Sequence, residues 1–362
     1  MSGENGILSR ATQAKEKTEE TEREETETLA GYEGIIDQYA GRTRETLADK
    51  VEVGDYIKYG EKLTARTYTT DTSETGCDGT QTFETDINML WRVMSKKANG
   101  EVEIVAVSNI LGDELTEEGT EGGTEEGGGE LGPVSLLTVE AEPMLLVDVN
   151  ENVKTGGLYL KGETGFLNAE TVLKNLCSTL YTSSYGEARS INVDDINALT
   201  GFNPETSDWD DKDYYLNNRS KTYTSGKFWD KASNTFKTAT TADPVTVEHS
   251  YYYYTVAETM PLYDTLIQES TTYTGDYSET NYPLFYWLGS RSAYASDNYA
   301  TLYVRAVDGG GVGNWSLVIA APGGDFGEYE SACGARPVVT LKSNIQVEET
   351  TATGGVTTWV IK

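Results

Sequence analysis

Apolar and polar residues alternate along several stretches of the chain, and this period of two predicts β-strands. One strand is predicted at residues 51–59. Residues 89–94 and 102–107 are predicted to form a hairpin across the Asn-Gly pair that precedes residue 101. Near the C-terminus, residues 359–361 are predicted to pair with residues 345–347. These strands come from distant parts of the chain, which indicates a sheet-containing domain.

Two stretches instead follow the 3.6-residue period of a helix. Residues 168–180 place their apolar side chains on one stripe, and Cys177 is predicted to be a small core residue on it. Residues 189–201 predict a second, shorter helix that is capped near Asn192 and stopped by Gly201. Strands and separate helices together predict an α+β fold, with short irregular strands and two helices in the main domain.

The N-terminal region has a different pattern. Residues 3–40 are predicted to form one protruding helix, whose second half is acidic and lacks an apolar stripe, so it contributes little to the core. We therefore divide the chain into this helix, at residues 1–40, and a domain at residues 41–362. Within the domain, residues 113–132 are nearly all Glu, Gly and Thr, which predicts a flexible surface loop.

A segment near the C-terminus contains the candidate binding residues. An aromatic run at 284–288 and an alternating strand at 338–341 flank a long stretch rich in Gly, Ser, Ala, Asp, Asn and Tyr. Because small and polar side chains bury little apolar area, this stretch is predicted to form a displayed surface and no core of its own. Its mixture of Tyr, Ser, Gly and Asn is typical of antibody paratopes. The candidate ligand-binding residues within 290–332 are Ser292, Tyr294, Ser296, Asp297, Asn298, Tyr299, Tyr303, Asn314, Trp315, Phe326 and Tyr329.

Composition excludes several classes of function. The 28 basic and 59 acidic residues give a net charge of −31, which disfavours nucleic-acid binding and docking on anionic lipids. Three widely spaced cysteines predict neither a disulfide framework nor a metal motif, and a single His argues against His-based catalytic triads. No nucleophile with a base and no phosphate-binding loop is found, so we predict that the protein is not an enzyme.

An acidic segment offers the one candidate metal site. Asp208, Asp210, Asp211 and Asp213 lie close together, and carboxylate oxygens are ligands that Ca²⁺ prefers. The segment lacks the glycine and the distal glutamate of an EF-hand loop, so a solvated acidic loop is the simpler interpretation. We predict no metal or other cofactor.

Two motifs resemble a known fold. Trp287-Leu-Gly-Ser-Arg291, followed by Gly334-Ala-Arg-Pro-Val-Val339, resembles the end of the formylglycine-generating-enzyme-like, C-type-lectin-type fold. Leu176-Cys-x-x-Leu-Tyr181 and the residues from Ala188 resemble a branch of that fold found in surface proteins of clostridia-like bacteria. The resemblance implies a lectin-like domain with a ligand face between its last strands.

The same resemblance raises an oxidase as an alternative function. Formylglycine-generating enzymes use two reactive cysteines with copper near the C-terminus. Only Cys333 lies in that region here, and Pro337 stands where those enzymes carry a cysteine. The oxidase is therefore the weaker alternative.

The start of the chain resembles a second family. Residues 3–19, Gly-Glu-Asn-Gly-Ile-Leu-Ser-Arg-Ala-x-x-Ala-Lys-Glu-Lys-Thr-Glu, are similar to the segment that follows the membrane helix of prepilin-like (type IV pilin or pseudopilin-type) proteins of Gram-positive bacteria. The apolar half of that helix is missing here, so we expect the sequence to begin after it. The resemblance implies an extracellular, membrane-tethered or pilus-associated protein at the cell surface. Other pilin-like subunits are then possible partners, and a structural pilus subunit is an alternative function.

The chain also resembles variable proteins of diversity-generating retroelements, in which adenine-directed mutagenesis rewrites a C-terminal region. Residues 288–334 contain no Lys, Gln or Met, which the mutated codons cannot encode. Trp315, Glu328 and Glu330 are then fixed positions. The residues expected to hold the backbone are Leu288, Arg291, Val304, Arg336 and Val338. We therefore expect an adhesion-type binding protein whose 290–332 segment varies, with a protein or glycan on another cell or phage as ligand.

Overall fold

The computed structural model describes residues 46–113, 146–147, 153–154, 157–268, 285–308, 310–351 and 357–362. The fold is mixed α+β and consists mostly of sheets with a few helices, as predicted for the fold class. The strands are β1 (Tyr56–Lys58), β2 (Thr67–Thr69), β3 (Thr82–Glu84), β4 (Trp91–Lys96), β5 (Val102–Ala106), β6 (Leu146–Val147), β7 (Val153–Lys154), β8 (Leu158–Lys161), β9 (Gly186–Ser190), β10 (Ser220–Tyr223), β11 (Lys227–Asp230), β12 (Thr235–Thr238), β13 (Val245–Glu248), β14 (Tyr254–Thr255), β15 (Tyr286–Ala295), β16 (Ala300–Asp308), β17 (Gly311–Ala320), β18 (Phe326–Glu328), β19 (Glu330–Ala335), β20 (Pro337–Leu341), β21 (Val347–Thr351) and β22 (Thr357–Ile361). The helices are α1 (Leu47–Lys50), α2 (Thr72–Thr75), α3 (Gly162–Tyr181), α4 (Val193–Thr200), α5 (Lys212–Asn217) and α6 (Tyr263–Leu266), and a 3₁₀ turn covers Gly60–Lys62.

Two seven-stranded sheets hold most of the strands. The first has the order β21-β22-β1-β4-β5-β20-β9, and the second has the order β14-β17-β16-β15-β19-β8 with β18 paired to β17. Two pairs in these sheets are parallel, β1 with β22 and β15 with β19. Neither pair is a βαβ unit, because the chain between β15 and β19 consists of further strands and β1 and β22 lie at opposite ends of the domain.

Helix α3 contributes to one core shared by both sheets. It follows β8 of the second sheet and precedes β9 of the first. Its buried side chains include the predicted stripe, with Leu173 and Cys177 fully buried. The core cluster that contains them also holds Trp91 of the first sheet and Trp287 of the second. The prediction that Cys177 is a core residue is confirmed.

Several predicted elements are confirmed with their partners. Strands β4 and β5 form the predicted antiparallel hairpin. Strand β21 pairs with β22, and the Val347–Ile361 pair is the one that falls within both predicted segments. Helix α4 begins with a capping box, in which Asn192 Oδ1 accepts from the Asp195 amide and the Asp195 carboxylate accepts from the Asn192 amide. It ends at Gly201, whose φ of 70° is the left-handed conformation that glycine adopts without strain.

Three predicted boundaries are wrong. The strand predicted at residues 51–59 is shorter, because the chain turns at Gly54 before β1 begins. The helix predicted from residue 189 starts later, since residues 189 and 190 belong to β9 and pair with β20. The strand predicted at residues 345–347 lies further along the chain, since β21 begins at Val347 and ends at Thr351.

The largest correction concerns the segment predicted to lack a core of its own. Residues 292–335 form the last four residues of β15 and all of β16, β17, β18 and β19, within the second sheet. Its alanines are the physical reason, because Ala293, Ala295, Ala300 and Ala306 are buried in the shared core. Small side chains let neighbouring elements approach closely, so they pack well although each buries little area.

Two predicted segments fall outside the described residues. These are the N-terminal helix at residues 3–40 and all but the first residue of the loop at 113–132. Within the part of the chain that the structure describes, only α3 and α4 have eight or more residues, which agrees with the two predicted helices of the domain. No helix in that part has both the length and the apolar character needed to cross a membrane.

Candidate functional site

Strands β15, β16 and β17 have two chemically different faces. On the inner face, Ala293, Leu302 and Val304 are buried in the core that includes α3. Because side chains alternate along a strand, Tyr294 and Tyr303 point to the opposite, outer face. The part of this outer face nearest the β15–β16 turn contains most of the predicted binding residues.

Buried polar groups form the floor of the outer face. Ser292 Oγ donates to Asn314 Oδ1 at 2.6 Å, and Asn314 Nδ2 donates to the Tyr252 carbonyl at 2.8 Å. The guanidinium of Arg305 donates to the carbonyls of Tyr252 and Ser250 and lies 3.6 Å from the centroid of the Tyr252 ring. Burial lowers the pKa of Arg305. The expectation that Ser292 faces water is wrong, since it is 1% exposed and supports the floor.

This floor holds residues 249–255 across the outer face. Their path begins beside β15, where the amides of Ser250 and Tyr251 donate to the Ala293 carbonyl. It ends at β14, which pairs with β17. Along this crossing the tyrosines alternate, so that Tyr252 and Tyr254 are buried. Tyr251 and Tyr253 are half-buried and reach the solvent.

Six tyrosines gather on the solvent side of this crossing, and we call them the tyrosine cluster. Its members are Tyr214 of α5, Tyr251, Tyr253, Tyr294 of β15, Tyr299 and Tyr303 of β16. Tyr294 is central: its ring stacks on Tyr214 at 5.5 Å and on Tyr299 at 5.7 Å, and Tyr251 meets it edge-on at 5.8 Å. Offset and edge-to-face aromatic pairs stabilise one another, so the rings form an ordered aromatic surface.

His249 lies directly beneath this cluster. Its ring centroid is 5.0 Å from that of Tyr294, and its Nδ1 accepts from the Ala295 amide at 3.2 Å. Burial lowers the pKa of His249. The same Nδ1 lies 3.4 Å from the Ala295 carbonyl oxygen, so its hydrogen-bond role depends on the tautomer, while the lowered pKa favours a neutral imidazole.

Acidic residues border one side of the tyrosine cluster. Asp210 and Asp211 are exposed and stand just before α5, the helix that carries Tyr214. Burial raises the pKa of Tyr253, and the charges of Asp211 and Asp210 raise it further. Burial is also the main cause that raises the pKa of Tyr294 to about 12, with Asp211 among the lesser ones. Trp209, which directly precedes these aspartates, has its ring centroid 6.3 Å from that of Tyr253, so the acidic segment lies beside the cluster.

The four aspartates considered for Ca²⁺ do not converge. Asp208, Asp210, Asp211 and Asp213 are all exposed along one short segment. Across the described residues, no group of three or more His, Cys, Asp or Glu side chains is arranged to hold a metal ion.

The turn between β15 and β16 presents a small polar edge beside the cluster. Ser296 Oγ accepts from the amides of Asn298 and Tyr299 and so fixes the turn. The exposed Asp297 forms a salt bridge of 2.8 Å with Lys221. Asn298 is exposed at the tip. These three predicted residues therefore lie next to the tyrosines that were predicted with them.

Three predicted residues lie elsewhere. Trp315 is opposite Val304 on the inner face and packs against the core. Phe326 of β18 contacts Phe236 of the β11–β12 hairpin at 5.8 Å. Tyr329 is exposed, and its amide is bound to the Leu317 carbonyl. The structure thus divides the predicted set between the outer face and a separate region near the start of α3.

The sequence interpretation missed Tyr214, Tyr251 and Tyr253. These residues are far in sequence from the 290–332 segment, and only the fold brings them to it. The run of four tyrosines at 251–254 was the available signal. In an extended segment, side chains alternate between a buried and an exposed side, so some of these tyrosines had to reach the surface.

The three cysteines, all within the described residues, form no disulfide and are buried. Burial raises the pKa of Cys77 to about 12. Cys333 is 2% exposed on the inner side of β19. Buried thiols with raised pKa values are poor nucleophiles, since the thiolate is the reactive form.

Comparisons with known proteins give no match: no family model, no curated protein and no solved structure matches this chain. The resemblances to lectin-type, prepilin-like and retroelement-variable proteins therefore stay predictions.

Proposed function

We propose that this protein binds ligands at a cell surface, through a face made of the tyrosine cluster and the adjacent turn at 296–299. Its domain is of the C-type-lectin-like type, and the chain is extracellular, membrane-tethered or pilus-associated, as its sequence resemblances imply. Its role is adhesion to a protein or glycan on another cell or phage, without catalysis.

The observation that carries this proposal is the combination of ordered and exposed aromatic rings. Tyr294 is held by contacts with several other rings, while Tyr299 next to it is 40% exposed. Rigid tyrosines offer a large contact area and a hydroxyl at a low cost in conformational entropy, which is why binding surfaces are rich in them. The other five rings of the cluster are partly exposed, and a contiguous patch of such rings is typical of an interaction surface.

The two faces of the sheet also support a variable binding segment. The residues expected to hold the backbone include Leu288, Val304, Arg336 and Val338, and each of them is 0% exposed. Of these, Val304 lies in the inner-face core, whereas Leu288 and Val338 belong to a second buried cluster that also holds Tyr252 and Tyr254. Tyr294, Tyr299 and Tyr303 belong to neither buried cluster and lie on the outer face or in the turn. Changes in their side chains would leave the inner face packed, so this architecture is suited to diversification.

Array binding tests the proposed face. The wild-type protein, a Tyr294→Ala/Tyr299→Ala double variant and a Tyr329→Ala control are applied to glycan and peptide arrays. Tyr329 is a matched control because it is exposed to a similar extent, 44%, but lies outside the cluster. We expect ligands that bind the wild type and the control and are lost with the double variant. Ligands that bind all three proteins equally would place binding elsewhere.

Sequencing the locus from several isolates tests the variable segment. We expect differences at positions 294, 299 and 303, while Ala293, Leu302 and Val304 on the inner face stay small or aliphatic. Differences spread evenly along the chain, or equally over both faces, would end this part of the proposal.

A further inference from the structure

The tyrosine cluster has a charge asymmetry that points to the chemistry of its partner. Asp210 and Asp211 are exposed, and within the described residues neither forms a salt bridge. Asp211 also adopts a left-handed conformation, with φ of 60°, and its side chain does not cap α5. Its carboxylate is thus not used by the helix that it precedes. That helix carries Tyr214 of the cluster, and Trp209, two residues before Asp211, has its ring centroid 6.3 Å from that of Tyr253.

The cations around the cluster are already paired or buried. Lys221 is bound to Asp297, and Arg219 is bound to Glu205 at 3.0 Å while it lies over Tyr215. Arg305 is buried under Tyr252. Lys212, which follows Asp211, donates to the Thr206 carbonyl at 3.0 Å. The solvent side of the cluster therefore combines aromatic rings with exposed carboxylates that form no salt bridge within the described residues, in a chain whose net charge is −31.

The fold itself shows that these surroundings accept guanidinium groups. The Arg305 guanidinium is 3.6 Å from the Tyr252 ring centroid, and that of Arg219 is 4.2 Å from the Tyr215 ring centroid. A cation over an aromatic face is attracted by the ring quadrupole, and a nearby carboxylate adds a charge-assisted hydrogen bond. Tyr252 and Tyr215 contact the two arginines through their rings. Tyr253 and Tyr299 have the same rings, but theirs face the solvent.

We propose that the ligand is a basic protein segment, whose arginine side chain lies over the tyrosine cluster and is bound by Asp211. This inference rests on the proposed function, since it names the partner class for the same face. Arginine fits better than lysine because its planar guanidinium can stack on a ring and donate to a carboxylate at once.

A pair of peptides tests the inference directly. A fluorescein-labelled Gly-Ser-Arg-Gly-Arg-Ser-Gly peptide and its citrulline counterpart, which has the same shape without the charge, are titrated with the protein at about 0.15 M ionic strength. Fluorescence anisotropy reports binding. We expect the arginine peptide to bind about tenfold more tightly than the citrulline peptide, the gain that a cation–π contact and a charged hydrogen bond provide.

Matched variants separate the local site from the bulk charge. Asp211→Asn keeps a side chain that tolerates the left-handed conformation, and Glu349→Gln removes one exposed carboxylate on β21 of the other sheet. We expect Asp211→Asn to weaken binding of the arginine peptide about threefold to tenfold, and Glu349→Gln to change it less than about twofold. Tyr299→Phe, which keeps the ring, should bind better than Tyr299→Ala. Unchanged melting temperatures show that the variants are folded.

The outcomes distinguish this inference from the proposed function. Equal losses in Asp211→Asn and Glu349→Gln would mean attraction by net charge alone and would overturn the inference. Equal affinity for the citrulline peptide, or no binding of either peptide while a neutral glycan binds through the cluster, would also overturn it but leave the proposed function standing. If no array ligand depends on Tyr294 and Tyr299, both fail.

Discussion

The two faces of strands β15–β17 come from the same stretch of chain but consist of different kinds of side chain. The inner face is aliphatic and fully buried, with Leu302 and Val304 packed in the core that contains α3. The outer face is aromatic and polar, and its tyrosines pack chiefly on other tyrosines while part of each ring meets solvent. One face therefore supplies the packed core, and the other is the face for which we propose ligand binding.

This difference has a physical origin in the residues beneath each face. The inner face depends mainly on shape complementarity, because most of its buried side chains are aliphatic. The outer face rests on Ser292, Arg305 and Asn314, whose bonds fix the backbone of residues 249–255 without using the exposed tyrosine side chains. A backbone that is fixed independently of the tyrosine side chains is compatible with the proposal that those side chains vary.

The largest expected effect is on the inner face, where Leu302→Ala would test the comparison most severely. Leu302 is 1% exposed, so truncation removes buried apolar area and leaves a cavity. We expect the free energy of unfolding to fall by about 3 kcal/mol, measured by urea denaturation. Tyr303→Phe is the control from the adjacent position, since it keeps the ring on the outer face. A loss below about 1 kcal/mol for Leu302→Ala would mean that the inner face is not a packed core.

The sequence predicted the elements more reliably than the surface. Local signals were sufficient for α3, the cap of α4 and the β4–β5 hairpin, because periodicity, capping residues and turn residues act within a few positions. Local signals failed for the segment that contains Ala293 and Ala300. Its many small residues suggested an exposed surface, but the alternation of side chains along the strands places these two alanines in the core. Composition ignores position, and position within the alternation decides burial in a strand.

The candidate site was predicted in part for the same reason. Tyr294, Tyr299 and Tyr303 were found because they are close in sequence to the flanking motifs. Tyr214 and Tyr251 could not be assigned to the same surface, since the pairing of residues 249–251 with β15 is a tertiary contact that no local pattern encodes. Trp315 was misplaced because its identity suggested a ligand contact, whereas its register opposite Val304 sets it on the inner face.

Lowering the pH should reduce the free energy of unfolding through His249, and this effect should be smaller than that of Leu302→Ala. Burial lowers the folded-state pKa of His249 below its ordinary value of 6.5, so below pH 6.5 the unfolded chain binds more protons than the folded one. The stability present above pH 6.5 is therefore lost as the pH falls, by at most about 1.4 kcal/mol per pH unit for this one proton. Melting temperatures between pH 7.0 and about 5.5 measure the loss, within a range where most carboxylates stay ionised.

His249→Asn provides the control for this pH dependence. Asparagine Oδ1 can accept from the Ala295 amide as Nδ1 does, but it does not titrate. The slope of stability against pH should become flatter in this range, since His249 is the one histidine of the chain. An unchanged slope would assign the dependence to carboxylates and would remove His249 from the comparison.

The smallest effect on stability is expected at the edge of the outer face, for Tyr299→Ala. The Tyr299 ring is 40% exposed and touches Tyr294, while its backbone carbonyl accepts from the Tyr223 hydroxyl at 3.0 Å. The substitution removes the ring contact but keeps the backbone bond, so we expect a loss of at most about 1 kcal/mol in the free energy of unfolding. Ligand binding in the array should fall far more. If Tyr299→Ala instead unfolds the protein as readily as Leu302→Ala, the outer face is part of the core, and the distinction between a folding face and a binding face does not hold.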